Sequence, residues 1–341
     1  MSLTTIAYGT TTTGEEARLY LLANACGMTV TVTDLGACLV SARVRDAHGA
    51  PRDVVLGHTG LIGYENNPMG FGATVGRCAN RIADASFAIG TERYRVEANE
   101  GANSLHSGPD MWFERMWELV DSGEDFVTLG LTSKDGDQGF PGNVIARATY
   151  QLSDDCKLTV RYEATAERPT IINMTNHTYF NLDGHAAGSI LGHELQVHAK
   201  HYLPTHEDNI PTGEVAHVKG TAFDLRHGRI LRDVLGDLER GYDHNFCLGT
   251  DGVLAHAAHL TAERSGIVLD VFTDAPGLQV YMAGWLDDMV GKDGTAYGRF
   301  AGVALETQGW PDAIHHSDWP SVVHGPEDPF AQTTVFAFSV A

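Results

Sequence analysis

Basic residues are scarce in this sequence. Its 341 residues include 23 lysines and arginines against 44 aspartates and glutamates, a formal net charge of −21, and only five of the basic residues are lysine. A field of this sign repels phosphate backbones and anionic lipid headgroups. The composition therefore argues against a nucleic-acid partner and against binding to a membrane surface.

Paired cysteines and long apolar segments are also missing. The five cysteines are odd in number and widely spaced, with no C-x-x-C pair of the kind used in zinc or redox chemistry. No run of about 18 apolar residues could span a bilayer, and no basic segment followed by an apolar core marks a secretory signal. These absences predict a protein of the reducing cytoplasm whose core is large enough to fold without disulfide or metal crosslinks.

Several common catalytic signatures are absent as well. The glycine-rich stretch at 70–76 has the wrong spacing for a dinucleotide loop and does not follow a strand. No G-x-x-x-x-G-K-[ST], G-x-S-x-G or H-E-x-x-H pattern occurs. The 17 histidines, among them His193, His198 and His201, occur at spacings that do not force convergence on a metal. Nucleotide-dependent, serine-hydrolase and metal-dependent chemistry are therefore not expected.

Glycine, by contrast, is abundant and lies between short apolar segments. The 38 glycines separate stretches that mix β-branched, apolar and polar residues, as half-buried strands do. Such stretches predict strands at 29–33, 127–132, 157–164, 268–273 and 334–340. The strongest helical periodicity is short and covers 229–240.

These features predict an all-β fold, one large antiparallel β-sandwich spanning residues 1–341 with few short helices. No change in composition marks a linker, and no fixed period marks a repeat. Loops rich in glycine, proline, aspartate and asparagine are predicted at 133–143, 183–192 and 287–299. An alternative is a pair of β-rich domains that meet near the 183–192 loop.

Five segments combine titratable and amide side chains with glycine, the composition expected where strand ends meet a polar ligand. They are G-R-C-A-N-R-I at 76–82, N-S-L-H-S-G at 103–108, T-N-H-T-Y-F-N-L at 175–182, G-Y-D-H-N at 241–245 and A-L-E-T-Q-G-W-P-D at 304–312. Each alone has a structural explanation, such as an ion pair or a turn. Taken together and in this order, they resemble the aldose 1-epimerase family, the galactose mutarotases, from about residue 70 to residue 325.

The resemblance implies a fold and an active site. It implies the galactose-mutarotase type of β-sandwich, without a required metal or organic cofactor. Carried over to matching positions, it implies Glu306 as general base and His177 as general acid, with His106 sharing the acidic role. The side chains that would hold sugar hydroxyls are Asn80, Arg81, Asp243 and Gln279.

The chemistry of anomer exchange suits these residue types. A base must take the proton of the anomeric hydroxyl while an acid protonates the ring oxygen, so that the hemiacetal opens. A carboxylate is ionised at neutral pH, and an imidazole with an ordinary pKa near 6.5 can donate a proton. The expected function is interconversion of the α and β anomers of free aldohexoses such as galactose and glucose. The expected partner is a monosaccharide, bound by a monomer or a homodimer.

Other functions use the same composition. A glycoside hydrolase could place Asp243 and Glu306 as its carboxylate pair, although this leaves the histidine motifs without a role. A non-catalytic carbohydrate-binding module could use the sandwich and its aromatic side chains, of which Tyr281, Trp285 and Trp310 are candidates. A relative that acts on hexose 6-phosphates would need a cationic pocket.

The chain departs from the family pattern in two loops. Residues 111–116 read M-W-F-E-R-M, and residues 314–319 read I-H-H-S-D-W, where the family usually has other sequences. Both loops are candidates to border the pocket. If they do, they affect the sugar preference more than the type of reaction.

Overall fold

The computed structural model describes residues 1–341 and consists mainly of antiparallel strands. In chain order the strands are β1 (Ser2–Thr10), β2 (Glu16–Ala23), β3 (Thr29–Thr33), β4 (Leu39–Arg45), β5 (Pro51–Asp53), β6 (Ala73–Val75), β7 (Arg81–Ile82), β8 (Ser86–Ile89), β9 (Glu92–Arg95), β10 (Ser104–Leu105), β11 (Glu118–Ser122), β12 (Phe126–Ser133), β13 (Val144–Leu152), β14 (Lys157–Ala166) and β15 (Thr170–Ile171). The second half contains β16 (Thr175–His177), β17 (Tyr179–Phe180), β18 (Glu194–Val197), β19 (His201–Tyr202), β20 (Ala216–His217), β21 (Arg229–Ile230), β22 (Asp243–Cys247), β23 (Ala255–Thr261), β24 (Ile267–Thr273), β25 (Gly277–Tyr281), β26 (Met289–Val290), β27 (Ala296–Tyr297), β28 (Val303–Gln308), β29 (Val323–His324) and β30 (Phe330–Val340).

Helix is confined to α1 (Leu61–Glu65) and six short 3₁₀ turns. The 3₁₀ turns are Ala83–Ala85, Trp112–Glu114, Asp137–Gly139, Leu231–Val234, Lys292–Gly294 and Ala313–His315. None of the helices has the length and apolarity that a membrane crossing requires. The predicted all-β class with few short helices is confirmed, and all five predicted strands lie within observed ones.

The largest sheet has nine strands in the order β11-β12-β13-β14-β30-β24-β23-β18-β21. Its strands β13 and β14 alternate strictly between buried and more exposed residues, with Leu158, Val160, Tyr162 and Ala164 of β14 facing inward. Alternation of period two is what a sheet with one covered face requires. The last strand of the chain, β30, lies in the middle of this sheet, between β14 and β24.

A six-stranded sheet in the order β17-β28-β25-β22-β19-β20 packs on the same core. Every residue of β25 and β28 is buried, so both faces of this sheet are covered. On one face Leu278, Val280 and Leu305 join the main hydrophobic core. The two large sheets are also tied by a hydrogen bond between the hydroxyls of Thr307 and Thr334, 2.5 Å apart.

A third sheet, of five strands, is formed by β1 to β5 in chain order. It contributes Tyr20, Leu22 and Val30 to a main core of 56 buried residues, which also receives side chains from the nine- and six-stranded sheets. Burying apolar area of this kind is the main source of folding free energy, at roughly 25 cal/mol per Å². The predicted antiparallel β-sandwich is confirmed.

The predicted helix at 229–240 is wrong. Residues 229–230 form β21, which pairs with β18, and only Leu231–Val234 form a 3₁₀ turn. The amide of Leu231 donates to His193 O and that of Arg232 to Leu191 O, so these donors serve the neighbouring loop instead of a helix. The three- and four-residue spacing of Leu231, Val234 and Leu238 places apolar side chains on the core without a helix.

Two further local expectations need correction. The predicted loop at 287–299 contains a small hairpin, β26 with β27. Cys26 and Cys156 form a disulfide between the turn after β2 and the turn before β14, with Cα atoms 6.3 Å apart, although no crosslink was expected. The remaining cysteines, Cys38, Cys78 and Cys247, are free and buried.

Candidate active site

The second face of the six-stranded sheet carries polar side chains. Glu306 of β28 is paired with Gln279 of β25, and Gln279 is paired with Asn245 of β22. Two residues further along, Tyr281 pairs with Asp243. Because side chains alternate between faces, these five point away from the core while Leu305 and Val280 point into it. The strand register therefore collects a carboxylate pair and two amides in one place.

His177 reaches the same place from a neighbouring pair of strands. It ends β16, which pairs with β6, and its ring centroid lies 4.9 Å from that of Tyr179. Tyr179 is in turn paired with Ala304 of β28, on the same face as Glu306. His177 Nε2 consequently lies 3.5 Å from Glu306 Oε1, and both side chains are at least nine-tenths buried.

Asn80 and His106 hold each other in a left-handed backbone conformation. Their φ angles are 62° and 52°. The backbone amide of Asn80 donates a hydrogen bond to His106 Nδ1 at 3.1 Å, and the backbone amide of His106 donates one to the carbonyl oxygen of Asn80 at 3.0 Å. Since Nδ1 accepts a hydrogen bond, the proton of the neutral His106 imidazole lies on Nε2. The His106 and His177 rings are nearly perpendicular, with centroids 5.5 Å apart.

The two arginines of the 76–82 segment have different surroundings. Arg77 is fully buried and donates to the carbonyls of Pro141 and Gly142 and to Ser133 Oγ. It therefore ties the segment to the turn at residues 139–142, which read G-F-P-G, and burial lowers the pKa of Arg77 to about 10. Arg81 instead faces the polar cluster and forms a two-bond pair with Glu100, at 2.5 and 2.8 Å. A planar guanidinium held in this way is fixed in orientation.

These side chains line a cavity of about 390 Å³, within the size range of small-molecule sites. Its polar lining includes six of the predicted residues together with Glu100 and Asn209. Its apolar and aromatic lining comes from Pro68, Met69, Leu105, Met111, Phe113, Tyr179, Tyr281 and Trp285. The predicted residues at the cavity are Asn80, Arg81, His106, His177, Asp243 and Glu306, of which Arg81 carries the only fixed positive charge.

The electrostatics of the cavity favour neutral imidazoles and a basic carboxylate. Burial, and then the charge of Asp243, raise the pKa of Glu306 well above its ordinary value, with Arg81 opposing the shift. Burial lowers the pKa of His177 to about 4. Burial, followed by His177 and Arg81, lowers the pKa of His106 well below its ordinary value. Removing charged forms from water accounts for each of these directions.

Several buried polar atoms at this site have no hydrogen-bond partner within the protein. They include Glu306 Oε2, His177 Nδ1, Gln279 Oε1 and both side-chain polar atoms of Asn245. Buried polar groups are nearly always paired, and an unpaired one costs about 1–3 kcal/mol. Their concentration around one face of the six-stranded sheet, with His177 contributed by the neighbouring strand β16, indicates that the site receives a polar ligand.

Gln279 does not line the cavity itself but lies directly behind Asp243, which does. Its Nε2 donates to Asp243 Oδ1 at 2.7 Å, and its side chain lines a narrow crevice shared with Asn245. Gln279 therefore fixes the Asp243 carboxylate. Asn245 was not singled out by sequence reasoning, although it lies within the G-Y-D-H-N segment.

The two divergent loops have different positions. Met111 and Phe113 of the 111–116 loop line the cavity, as expected for a loop that borders the pocket. No residue of 314–319 does so, and this expectation is wrong. In that loop His315 Nδ1 bonds Asp312 Oδ1 at 2.7 Å. Trp310 is not at the cavity either, because it packs on Trp319 and donates from Nε1 to Pro276 O.

Sequence reasoning also missed Glu100 and Asn209, which lie outside every recognised segment. Glu100 is three residues before the 103–108 segment and reaches the cavity only through its pairing with Arg81. Nothing in its spacing distinguishes it from a surface acid. Tyr179 lies inside the 175–182 segment, and its alternation with His177 was the available signal.

The chain is similar to known proteins in sequence and in fold. A family model described as aldose 1-epimerase matches residues 18–337. Galactose mutarotase of Homo sapiens is 41% identical over 316 residues, covering 92% of this chain and 91% of that protein. Aldose 1-epimerase of Escherichia coli (strain K12) is 38% identical over 313 residues, 90% of each. The solved structure of an aldose epimerase homologue from C. elegans has a TM-score of 0.90 at 29% identity, covering 95% of this chain and 99% of that chain.

The match to the aldose 1-epimerase model, together with this β-sandwich, defines the protein as an isomerase with the galactose-mutarotase fold. The chain belongs to the aldose 1-epimerase family. Of the functions considered from sequence, the comparisons support the epimerase over the glycoside hydrolase and the binding module.

Proposed function

We propose that the protein interconverts the α and β anomers of free aldohexoses, galactose and glucose among them, with Glu306 as base and His177 as acid. The observation that carries the proposal is the 3.5 Å approach of His177 Nε2 to Glu306 Oε1 inside a cavity. The anomeric oxygen and the ring oxygen of a pyranose are bonded to the same carbon, so two groups this close together can reach both.

In the proposed reaction Glu306 takes the proton of the anomeric hydroxyl as His177 protonates the ring oxygen. The bond between C1 and the ring oxygen breaks, which gives the open-chain aldehyde. Rotation about the C1–C2 bond presents the other face of the aldehyde, and the same groups act in reverse to close the ring. No net proton is consumed. Each positioned proton transfer typically contributes about 10²- to 10⁴-fold in rate.

The pair needs one shared proton to work. With one proton present, the raised pKa of Glu306 and the lowered pKa of His177 place that proton on Glu306. The reactive arrangement, with ionised Glu306 and protonated His177, has the same proton count and differs only in which group holds the proton. Burial thus makes the carboxylate a stronger base and the imidazolium a stronger acid, at the cost of a smaller reactive population.

The remaining polar groups are proposed to bind the sugar. Asp243 is held by Gln279 and accepts hydrogen bonds from neighbouring hydroxyls, while Arg81 is oriented by Glu100 and donates to oxygens. His106, whose Nε2 carries the proton, is a second donor near the reacting centre and shares the acidic role. The aromatic rings of Tyr281 and Trp285 offer apolar surface to the pyranose.

Polarimetry on freshly dissolved α-D-galactose and α-D-glucose, in the presence of a chelator, tests the proposal. We expect wild-type protein to speed the approach to anomeric equilibrium, and we expect His177→Asn to lose about 10²-fold or more of that rate. His185→Asn is the matched control, because His185 is half-buried but lies outside the cavity. Equal rates for the two variants would remove His177 from the reaction. Release of reducing sugar from an oligosaccharide without anomer exchange would instead support the hydrolase.

The pH dependence tests the shared proton. Below about pH 4 the pair holds two protons and loses its base, and above the raised pKa of Glu306 it holds none and loses its acid. We therefore expect kcat/KM to stay level between these limits. A kcat/KM that rises as pH increases through the ordinary histidine pKa near 6.5 would contradict the proposed pair, because activity would then require the loss of a proton in that range. Circular dichroism at each pH separates unfolding from titration.

A further inference from the structure

A cluster of two histidines and an aspartate lies on the outer side of the nine-stranded sheet, away from the catalytic cavity. His256 and His259 are on β23, and Asp270 is on the adjacent β24. His256 Nε2 is 2.8 Å and His259 Nδ1 is 2.7 Å from the same oxygen, Asp270 Oδ1. One donor atom from each residue lies within 4.8 Å of the others. None of the three lines the cavity.

An irregularity in the strand brings the two histidines together. Residues three apart on a regular strand point to opposite faces. The register between β23 and β24 shifts between His256 and Ala258, which leaves Ala257 as the extra residue of a β-bulge. The bulge restores His256 and His259 to one face, and Asp270 is directly opposite His259. Bulges commonly re-aim side chains in this way.

The surroundings keep the cluster in place. The ring of His256 stacks on Phe272 with centroids 4.8 Å apart. The amide of His198 donates to Ala257 O at 2.8 Å, so a second segment is anchored at the bulge. The His198 ring lies 4.5 Å from that of His256 and adds a third imidazole next to the cluster. About a third of each His256 and His259 side chain is exposed, so an ion can enter from solvent.

We propose that His256, His259 and Asp270 form a binding site for a divalent transition-metal ion of the Zn²⁺ type. Two imidazole nitrogens and a carboxylate oxygen are ligands of Zn²⁺, Co²⁺, Ni²⁺ and Cu²⁺, whereas Mg²⁺ and Ca²⁺ prefer oxygen alone. Tetrahedral Zn²⁺ with ligands at about 2.0–2.1 Å holds them roughly 3.3 Å apart, so each histidine nitrogen must move away from Asp270 Oδ1 by about half an ångström. Water, or a rotated His198, completes the coordination.

This site is separate from anomer exchange and has its own consequence. Its ligands belong to two neighbouring strands, and the anchored His198 segment follows a third, β18. An ion that binds the folded chain in preference to the unfolded chain stabilises the folded state by mass action. If the site exists, the stability of the nine-stranded sheet depends on the metal concentration. This consequence does not depend on the proposed catalytic function.

Isothermal titration of tag-free, chelator-treated protein with ZnCl₂ tests the proposal. We expect wild-type protein to bind one Zn²⁺ with a Kd in the micromolar range, and His259→Gln and Asp270→Asn each to weaken binding about tenfold or more. His217→Gln is the matched control. His217 also faces another histidine, His201, with ring centroids 4.3 Å apart, but that pair has no third ligand. We expect this variant to bind Zn²⁺ as the wild type does.

A second measurement uses wild-type protein alone and does not depend on any variant folding. Co²⁺ in a site with nitrogen and oxygen ligands should give visible absorption bands that excess Zn²⁺ removes, and the thermal midpoint should rise as Zn²⁺ is added. Binding no tighter than about 1 mM would overturn the proposal, as would an equal loss of affinity in His217→Gln and His259→Gln. Mutarotation is assayed in parallel and should be the same in His259→Gln as in the wild type.

Discussion

The two faces of the six-stranded sheet are equally buried, but one packs in the apolar core and the other lines the cavity. Leu305 and Glu306 are neighbours in β28, exposed by 1% and 2%. Leu305 points into a core of apolar side chains that need no partners. Glu306 points into the cavity, where one of its oxygens has no partner and its pKa is raised. Burial alone therefore does not indicate whether a residue serves folding or reaction.

Residues that serve folding and residues that serve the reaction therefore alternate along the same strand. Because side chains alternate along a strand, a slip of one residue in the β25–β28 pairing would exchange the apolar face for the polar face. The polar face, left unpaired, costs folding free energy that the apolar face offsets. Activity in this protein thus depends on a register that the apolar face specifies.

Glu306→Gln sharpens the comparison most strongly. The amide keeps the shape but cannot take the proton, so we expect kcat to fall by about 10²- to 10⁴-fold. Since a buried carboxylate is replaced by a neutral group, the free energy of unfolding should stay the same or rise. Polarimetry and denaturant titration measure the two effects. A variant that turns over at close to the wild-type rate would assign the base to another residue.

Leu305→Ala should have the opposite effects. Deleting a core side chain leaves a cavity and costs about 2–5 kcal/mol of unfolding free energy. We expect the molecules that remain folded at low temperature to keep a kcat close to that of the wild type. The comparison of the two faces would fail if activity fell with stability preserved, because Leu305 would then shape the site directly. Urea unfolding beside a mutarotation assay provides both values.

Gln279→Ala tests the hydrogen bond that holds Asp243 from behind the cavity. The substitution removes the donor to Asp243, a charge-assisted hydrogen bond of the kind worth about 1.5–3 kcal/mol. We expect KM for the sugar to rise by roughly tenfold or more, with a smaller effect on kcat. The matched change on the other face is Val280→Ala, which should lower stability and leave KM unchanged. Initial rates over a range of sugar concentrations decide between them.

The smallest expected effect is on the pH dependence of stability. A carboxyl whose pKa is raised by folding adds stability below its unfolded pKa, and that stability is lost as pH rises through the folded pKa. Wild-type protein should lose this contribution above the ordinary range of a glutamate, while Glu306→Gln should not. The difference between their unfolding free energies should therefore increase with pH. A constant difference would show that the Glu306 pKa is not raised.

Much of the fold followed from the sequence because alternation is a local signal. The stretch 157–164 alternates apolar and polar residues, and it lies inside β14. The helix prediction at 229–240 was wrong because it rested on the same kind of local signal. The spacing of apolar residues did not reveal that the backbone amides of Leu231 and Arg232 donate hydrogen bonds to the neighbouring loop. The disulfide between Cys26 and Cys156 joins residues 130 apart, a proximity that spacing does not encode.

At the site, the ordered motifs predicted which residues take part but not the contacts between their side chains. Glu306 and His177 were predicted from their segments, and the structure places them 3.5 Å apart. Gln279 was predicted to hold a sugar hydroxyl, and the motifs did not reveal that its Nε2 donates a hydrogen bond to Asp243. Glu100 was missed because its position depends on the rotamer of Arg81 and on the path of an irregular loop. Contacts of this kind arise from tertiary packing and have no sequence period.

The position of β30 has a consequence for biosynthesis. This strand is the last in the chain, yet it fills the centre of the nine-stranded sheet. Until it has left the ribosome, β14 and β24 each present an open edge, which is the form of a sheet most prone to pair with other chains. The largest sheet therefore cannot close until β30 has been synthesised, and the risk of pairing with other chains is confined to that interval.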